Sequence, residues 1–114
     1  METKELTNEA VDQATTNLDI FNDKIKNGKK VTLADTVDLM NSSDYKERFI
    51  AEYVQTKIRY NSLHKMIIKY DAGTLDFDIT TPIITLKNQK NFMGQYLNQL
   101  EIRAEIEGIV LPLV

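Results

Sequence analysis

From residue 44 to residue 71 the chain contains neither glycine nor proline, and its apolar residues keep one rhythm throughout. Phe49, Tyr53, Thr56, Tyr60, Leu63, Ile67 and Tyr70 follow one another at spacings of four and three, a heptad seam with a single polar member. A strand would alternate every second residue, so this stretch is a long helix. A second stripe, Ile50, Val54 and Ile58 and then Ile68, runs beside the first. A helix with two apolar stripes needs two neighbours.

The local signals at both ends agree with a long helix. Asn41, Ser42, Ser43 and Asp44 form a cluster of cap-forming residues, with Ser43 read as the cap and Asp44 and Glu47 placed against the positive end of the helix dipole. Gly73 suits the left-handed closing position. Residues 72–81 follow as a loop in which Leu75, Phe77 and Ile79 alternate with polar residues. Thr81-Pro82 then opens a second long helix, a capping hydroxyl before a proline at the first helical position. Its seam is Leu86, Met93, Leu97, Leu100 and Ala104, with Lys90 the polar exception, and Gly108 ends it. Phe92, Tyr96 and Ile106 lie on a neighbouring face.

Upstream, residues 8–27 read as an amphipathic helix through Ala10, Ala14, Leu18, Phe21 and Ile25, capped by Thr7 or Asn8 and stopped by Gly28. Lys29, Lys30 and Val31 form a connector or a short strand. Thr32 with Asp35 resembles a capping box that opens a short helix to about Met40. The fold expected is all-α: an N-terminal helical segment over residues 1–40, then a long antiparallel two-helix hairpin with an apolar C-terminal tail over residues 41–114. The tail from Ile109 to Val114 is almost wholly apolar, so it covers the hairpin or meets another subunit. A two-helix hairpin alone buries little, so the N-terminal helices or further copies of the chain must cover the rest.

Composition narrows the chemistry. At 114 residues the chain fits one domain. It has no cysteine and one histidine, which excludes a disulfide framework, a cysteine nucleophile and a multi-histidine metal cage within one chain. No apolar run approaches the length of a membrane span and no basic-then-apolar leader opens the chain, so a cytosolic protein is expected. The net charge is −3, with the excess of acid in residues 1–40 and balance in residues 41–114. Duplex nucleic acid, which needs a broad cationic surface, is not an expected partner.

A local cationic region exists all the same. Lys57, Arg59, His64, Lys65 and Lys69 follow Glu52 with no acid before Asp71, and Tyr53, Tyr60 and Tyr70 are interleaved with them. Aromatic faces stack on bases while cations hold phosphates. The same residues also fit a plainer account, with cations complementing a helix C-terminus and tyrosines forming core with wet tips. His64 has no recognisable catalytic partner, so a structural or surface histidine is the simpler reading. Glu101, Glu105 and Glu107 read as a solvated face, since the Glu-x-x-His of di-metal helices is absent. The acidic loop after Asp71 has Pro82 where a calcium loop needs its twelfth-position glutamate, and Gly28-Lys29 lacks the rest of a phosphate loop.

Certain residues carry a resemblance. Asp44-Tyr45-Lys46-Glu47-Arg48-Phe49, Ala51-Glu52-Tyr53, Lys57-Ile58-Arg59-Tyr60, Leu63-His64-Lys65-Met66 and Ala72-Gly73-Thr74-Leu75 are among them. The second helix adds Pro82-Ile83, Gln89, Met93-Gly94, Tyr96-Leu97 and the run from Leu100 to Glu107. Over about residues 44–108 the chain resembles a small-protein family encoded by bacteriophages and prophages, including crAss-like phages. That hairpin is similar to the one in phage sponge proteins that counter the CBASS and Thoeris immune systems. The resemblance implies a homo-oligomer, typically a hexamer, in the cytoplasm of the infected bacterial host. It implies a cyclic nucleotide or cyclic ADP-ribose isomer bound between subunits and sequestered without cleavage, with no cofactor, no metal and no enzymatic activity. The ligand-binding candidates are Tyr53, Lys57, Arg59, Tyr60, His64 and Lys65. The other expectation is a helical structural or protein-interaction module of phage origin with no small ligand, favoured by the heptad seam and the apolar tail.

Overall fold

The computed structural model describes residues 17–114, and there is no strand among them. Helix α1 spans Asn17–Lys26. A 3-10 turn, Leu33–Thr36, runs into the short α2, Val37–Met40. The hairpin is α3, Tyr45–Ala72, and α4, Ile83–Glu107. The chain is all-α as its periodicity requires. The readings on Ala10 and Ala14 and on a cap at Thr7 or Asn8 lie outside the described residues. Residues 29–31 are connector, not strand.

Two helix starts differ from the sequence reading. Asp44, not Ser43, caps α3: its carboxylate accepts the backbone N–H of Lys46 at 2.9 Å, while Ser42 Oγ accepts the N–H of Asp44 at 3.0 Å. A carboxylate satisfies the orphan donor and meets the dipole with a full charge, which a hydroxyl does not. At α4 the cap position belongs to Pro82 and no side chain caps the helix; the Pro82 carbonyl accepts from the N–H groups of Thr85 and Leu86. Thr81 therefore sits one residue too early to cap. Gly73 closes α3 at φ +74°, letting the Thr74 N–H reach the Lys69 carbonyl at 2.8 Å. Asp44→Ala is expected to lower stability by about 1 kcal/mol in urea denaturation.

The hairpin is antiparallel, as its cross-links show. Tyr45 bonds Glu107, Tyr53 bonds Glu101, Tyr60 lies against Gly94, and Asp71 pairs with Lys87. Phe49, Tyr53, Leu97, Leu100 and Ala104 are buried on the facing sides of the two helices. The chain's own N-terminal elements cover the second stripe. The 3-10 turn and α2 both pack on α3, and Phe21 and Leu39 join Ile50 and Val54 in one cluster. Ile68, nearer the hairpin's turn, stays exposed. The tail divides: Ile109 is buried and Leu111 and Val114 pack on the core, while Val110 and Leu113 are 88% and 90% exposed.

Two of the three carboxylates of α4, Glu101 and Glu107, are not simply solvated, while Glu105 stays exposed. The Tyr53 hydroxyl donates to Glu101 at 3.0 Å, and the Tyr45 hydroxyl donates to Glu107 at 2.6 Å while accepting from Arg103 at 3.0 Å. These bonds join the helices at the hairpin's open end. Burial, then the adjacent Glu101, pushes the Tyr53 hydroxyl up to about 12. A raised folded value means that this contribution is complete below the ordinary value near 10. Stability should therefore fall as pH rises from about 10 to 12, and Tyr53→Phe should flatten that fall in alkaline denaturation.

The N-terminal segment has its own clamp. The capping box is present: Asp35 accepts the Thr32 N–H at 2.7 Å and also the Lys24 ammonium at 2.7 Å, which ties α1 to the 3-10 turn. The hydrogen bond from Lys24, then that from the Thr32 backbone, holds the Asp35 carboxyl below its ordinary value. A depressed value contributes stability above the ordinary carboxylate range, and that contribution is lost as pH falls through the folded value. Asp35→Ala should cost about 1 kcal/mol at neutral pH, and urea titrations of variant and parent should converge under strong acid.

Candidate functional site

Tyr60 stands midway along α3 on the face turned to α4, and it is half-buried. Opposite it α4 carries Gly94, whose place for a side chain is taken by the ring: a Cβ there would lie 3.4 Å from Tyr60 Cε2. Two ammonium groups flank the ring, Lys57 from α3 at 5.7 Å and Lys90 from α4 at 5.8 Å from its centroid. One turn on, the His64 imidazole lies parallel to it, with 6.2 Å between centroids and 4° between planes. His64 Nδ1 is buried with no hydrogen-bond partner among the described residues. An orphaned polar atom beside an aromatic ring and two cations is unusual in a mere packing contact.

Beyond the ring, residues of both helices line an open cleft of about 700 Å³. Its floor is Tyr60, Ile67 and Gly94. One wall is a row of amides on α4, Asn91, Gln95, Asn98 and Gln99, at helical spacing and without hydrogen-bond partners among the described residues. Lys87 and Lys90 bring positive charge from α4, and Lys87 is paired at 3.1 Å with Asp71 where the cleft nears the hairpin's turn. The volume lies in the range of small-molecule sites. The arrangement offers a ring to stack on, cations for phosphates, and amides that both donate and accept, as the edges of nucleobases require.

The sequence-derived candidates are placed in three groups. Tyr60, Lys57 and His64 come together at the hairpin face. Tyr53 is on the same face but buried, its hydroxyl spent on Glu101. Arg59 projects from a different side of α3, exposed and outside the cleft. Lys65 lies on yet another side, lining a separate cleft against residues 28–31 and the tail. The helical wheel accounts for this: Lys57, Tyr60 and His64 fall within about one-sixth of a turn of each other, whereas Arg59 and Lys65 are rotated well away. The α4 side of the site, Lys87, Lys90 and the amide row, was not among the candidates. Its signal was present as Lys90 in the seam and Asn91, Gln95 and Asn98 at spacings of four and three.

Gly94 gives a direct check. In mid-helix, Gly94→Ala gains about 1 kcal/mol of helix propensity, and its methyl reaches only ordinary contact with the ring. It should leave stability equal or higher, whereas Gly94→Leu must push the Tyr60 ring aside and should be read as a changed Tyr60 fluorescence environment.

Three comparisons with known proteins bear on this geometry. No curated protein and no solved structure matches the chain. One family model does, over residues 43–106, more than half the chain and both arms of the hairpin: the family is Sequestin.

Proposed function

This chain belongs to the Sequestin family, and from that premise we propose that it is a phage anti-defence sponge which captures a cyclic nucleotide immune signal of the CBASS or Thoeris type and holds it intact. Membership in a family of sequestering proteins points to binding rather than catalysis. The observation that carries the ligand class is the Tyr60 ring between the Lys57 and Lys90 ammonium groups at the edge of an amide-lined cleft. A cyclic nucleotide or cyclic ADP-ribose isomer presents aromatic base faces, base edges and phosphates, and the cleft has a group for each.

The protein acts as a homo-oligomer in the cytoplasm of the infected bacterium. Ile84, Phe92, Tyr96, Ile102 and Ile106 leave an apolar outer face on α4 beside the amide row, with Phe92 66% and Ile106 79% exposed. A second copy laid on that face would roof the cleft and exclude water from the ligand. Arg59 and Lys65 then serve a ligand only from a neighbouring copy. Ligand bound between copies would raise the oligomer's stability by mass action.

Calorimetry of the purified chain against cyclic dinucleotides, cyclic trinucleotides and cyclic ADP-ribose isomers tests this reading, with chromatography of the ligand released on denaturation. Saturable binding and recovery of unchanged ligand are expected. A folded protein that binds no member of the panel, or that returns a hydrolysed product, overturns it. The exposed apolar face favours a second reading, a protein-interaction module without a small ligand. Pull-down from infected cells would then recover a phage or host protein at fixed stoichiometry.

A further inference from the structure

A second cleft of about 350 Å³ lies on the other side of α3, where the connector after α1 and the C-terminal tail approach Ser62 and Lys65. Three ammonium groups stand around it: Lys29 and Lys30 from the connector and Lys65 from α3. Among the described residues none of the three is ion-paired, and no carboxylate side chain lines the cleft. Three like charges converging on one concavity, against the single terminal carboxylate that Val114 brings to its edge, raise the local potential and cost stability unless an anion relieves them. The cleft also has an apolar side: Ile58 and Val31 beneath, Leu113 and Val114 at the edge. Asn61 and Ser62 add neutral hydrogen-bonding groups at its rim.

The pieces that build this cleft come largely from outside the part of the chain that the family model matches. The connector precedes residue 43 and the tail follows residue 106. Gly28 makes the connector's turn at φ +74°, a conformation that sets Lys29 and Lys30 back toward α3 and that a side chain would resist. Only Ile58, Asn61, Ser62 and Lys65 belong to the matched hairpin.

We propose that this cleft is a second binding site, separate from the Tyr60 site, for a phosphate-bearing small anion with an apolar or aromatic body, no larger than a mononucleotide. The cations select the phosphate. The apolar floor selects against a bare inorganic ion, whose hydration it cannot replace. The volume is at the lower end for small-molecule sites and about half that of the Tyr60 cleft, so a dinucleotide does not fit.

The test uses the full chain, labelled with nitrogen-15 and titrated separately with adenosine monophosphate, adenosine and inorganic phosphate. Adenosine monophosphate should give saturable shifts at the amides of Gly28, Val31, Asn61 and Ser62. Inorganic phosphate should bind about tenfold more weakly or less, and adenosine should leave these amides unmoved. Lys65→Gln, and separately Lys29→Gln with Lys30→Gln, should each weaken binding of adenosine monophosphate about tenfold. Shifts at these amides should persist in Lys90→Glu, which removes a cation from the other cleft, so failure here and failure of the Tyr60 site are told apart. Shifts that fail to saturate by about 10 mM, equal affinity for phosphate and adenosine monophosphate, or full affinity in the lysine variants each overturn the proposal.

Discussion

Reversing Lys57 and Lys90 together should lower affinity for the proposed cyclic nucleotide ligand by about 10²–10⁴-fold while circular dichroism stays that of the parent. A charge-assisted hydrogen bond contributes about 1.5–3 kcal/mol, and two are removed. The replacement carboxylates then repel the phosphates, which adds to the loss. The fold should survive because neither ammonium is ion-paired among the described residues and neither belongs to the buried core: Lys90 lines the cleft, and Lys57 reaches the Tyr60 ring from beside it. Arg59→Glu is the informative contrast, because Arg59 stands off the cleft of its own chain. If its reversal matters as much as that of Lys57 and Lys90, the ligand is gripped by a neighbouring copy as well. Normal affinity in the double reversal would place the ligand elsewhere on the molecule.

Leu100→Ala should cost about 2–5 kcal/mol, enough to threaten the fold of a small domain whose total stability is about 5–15 kcal/mol. Leu100 is 1% exposed on the face of α4 turned to α3, in the same cluster as Phe49 and Val54. Truncation there leaves a cavity between two long helices that are tied by few polar cross-links. Leu39→Ala should cost a similar amount through a different contact, since Leu39 is 0% exposed and brings α2 into the same cluster. Urea denaturation reads both. Ile106→Ala, on the exposed outer face, should leave monomer stability within about 0.5 kcal/mol. It should lower the apparent molecular mass in light scattering if that face joins copies.

The hairpin was legible because its cause is local and repeated. A seam from Phe49 to Tyr70 and another from Leu86 to Ala104 have a single helical solution, and Gly73 and Gly108 mark their ends by backbone conformation alone. Caps were less legible: Ser43 and Asp44 are both good cap residues, and only the geometry of the turn decides between them. The cleft was legible by half. Lys57, Tyr60 and His64 share a face of one helix, a relation that spacing reveals. Lys87, Lys90 and the amide row enter from the other helix, and the register that brings Gly94 opposite Tyr60 is set by packing across the pair. Arg59 and Lys65 are close to the site in sequence, but rotation about the helix axis carries them to other sides. Glu101 and Glu107 look idle in the sequence because their partners, Tyr53 and Tyr45, are distant in it.

Gly94 leaves a bare spot on α4 into which the Tyr60 ring is already laid, with His64 stacked beside it before any guest arrives. Little motion remains to be frozen when a base settles on such a surface, so the entropic toll of capture is small. For a sequestering protein the benefit appears as dwell time: slow escape matters more than fast arrival, and a ring that need not search for its pose favours it.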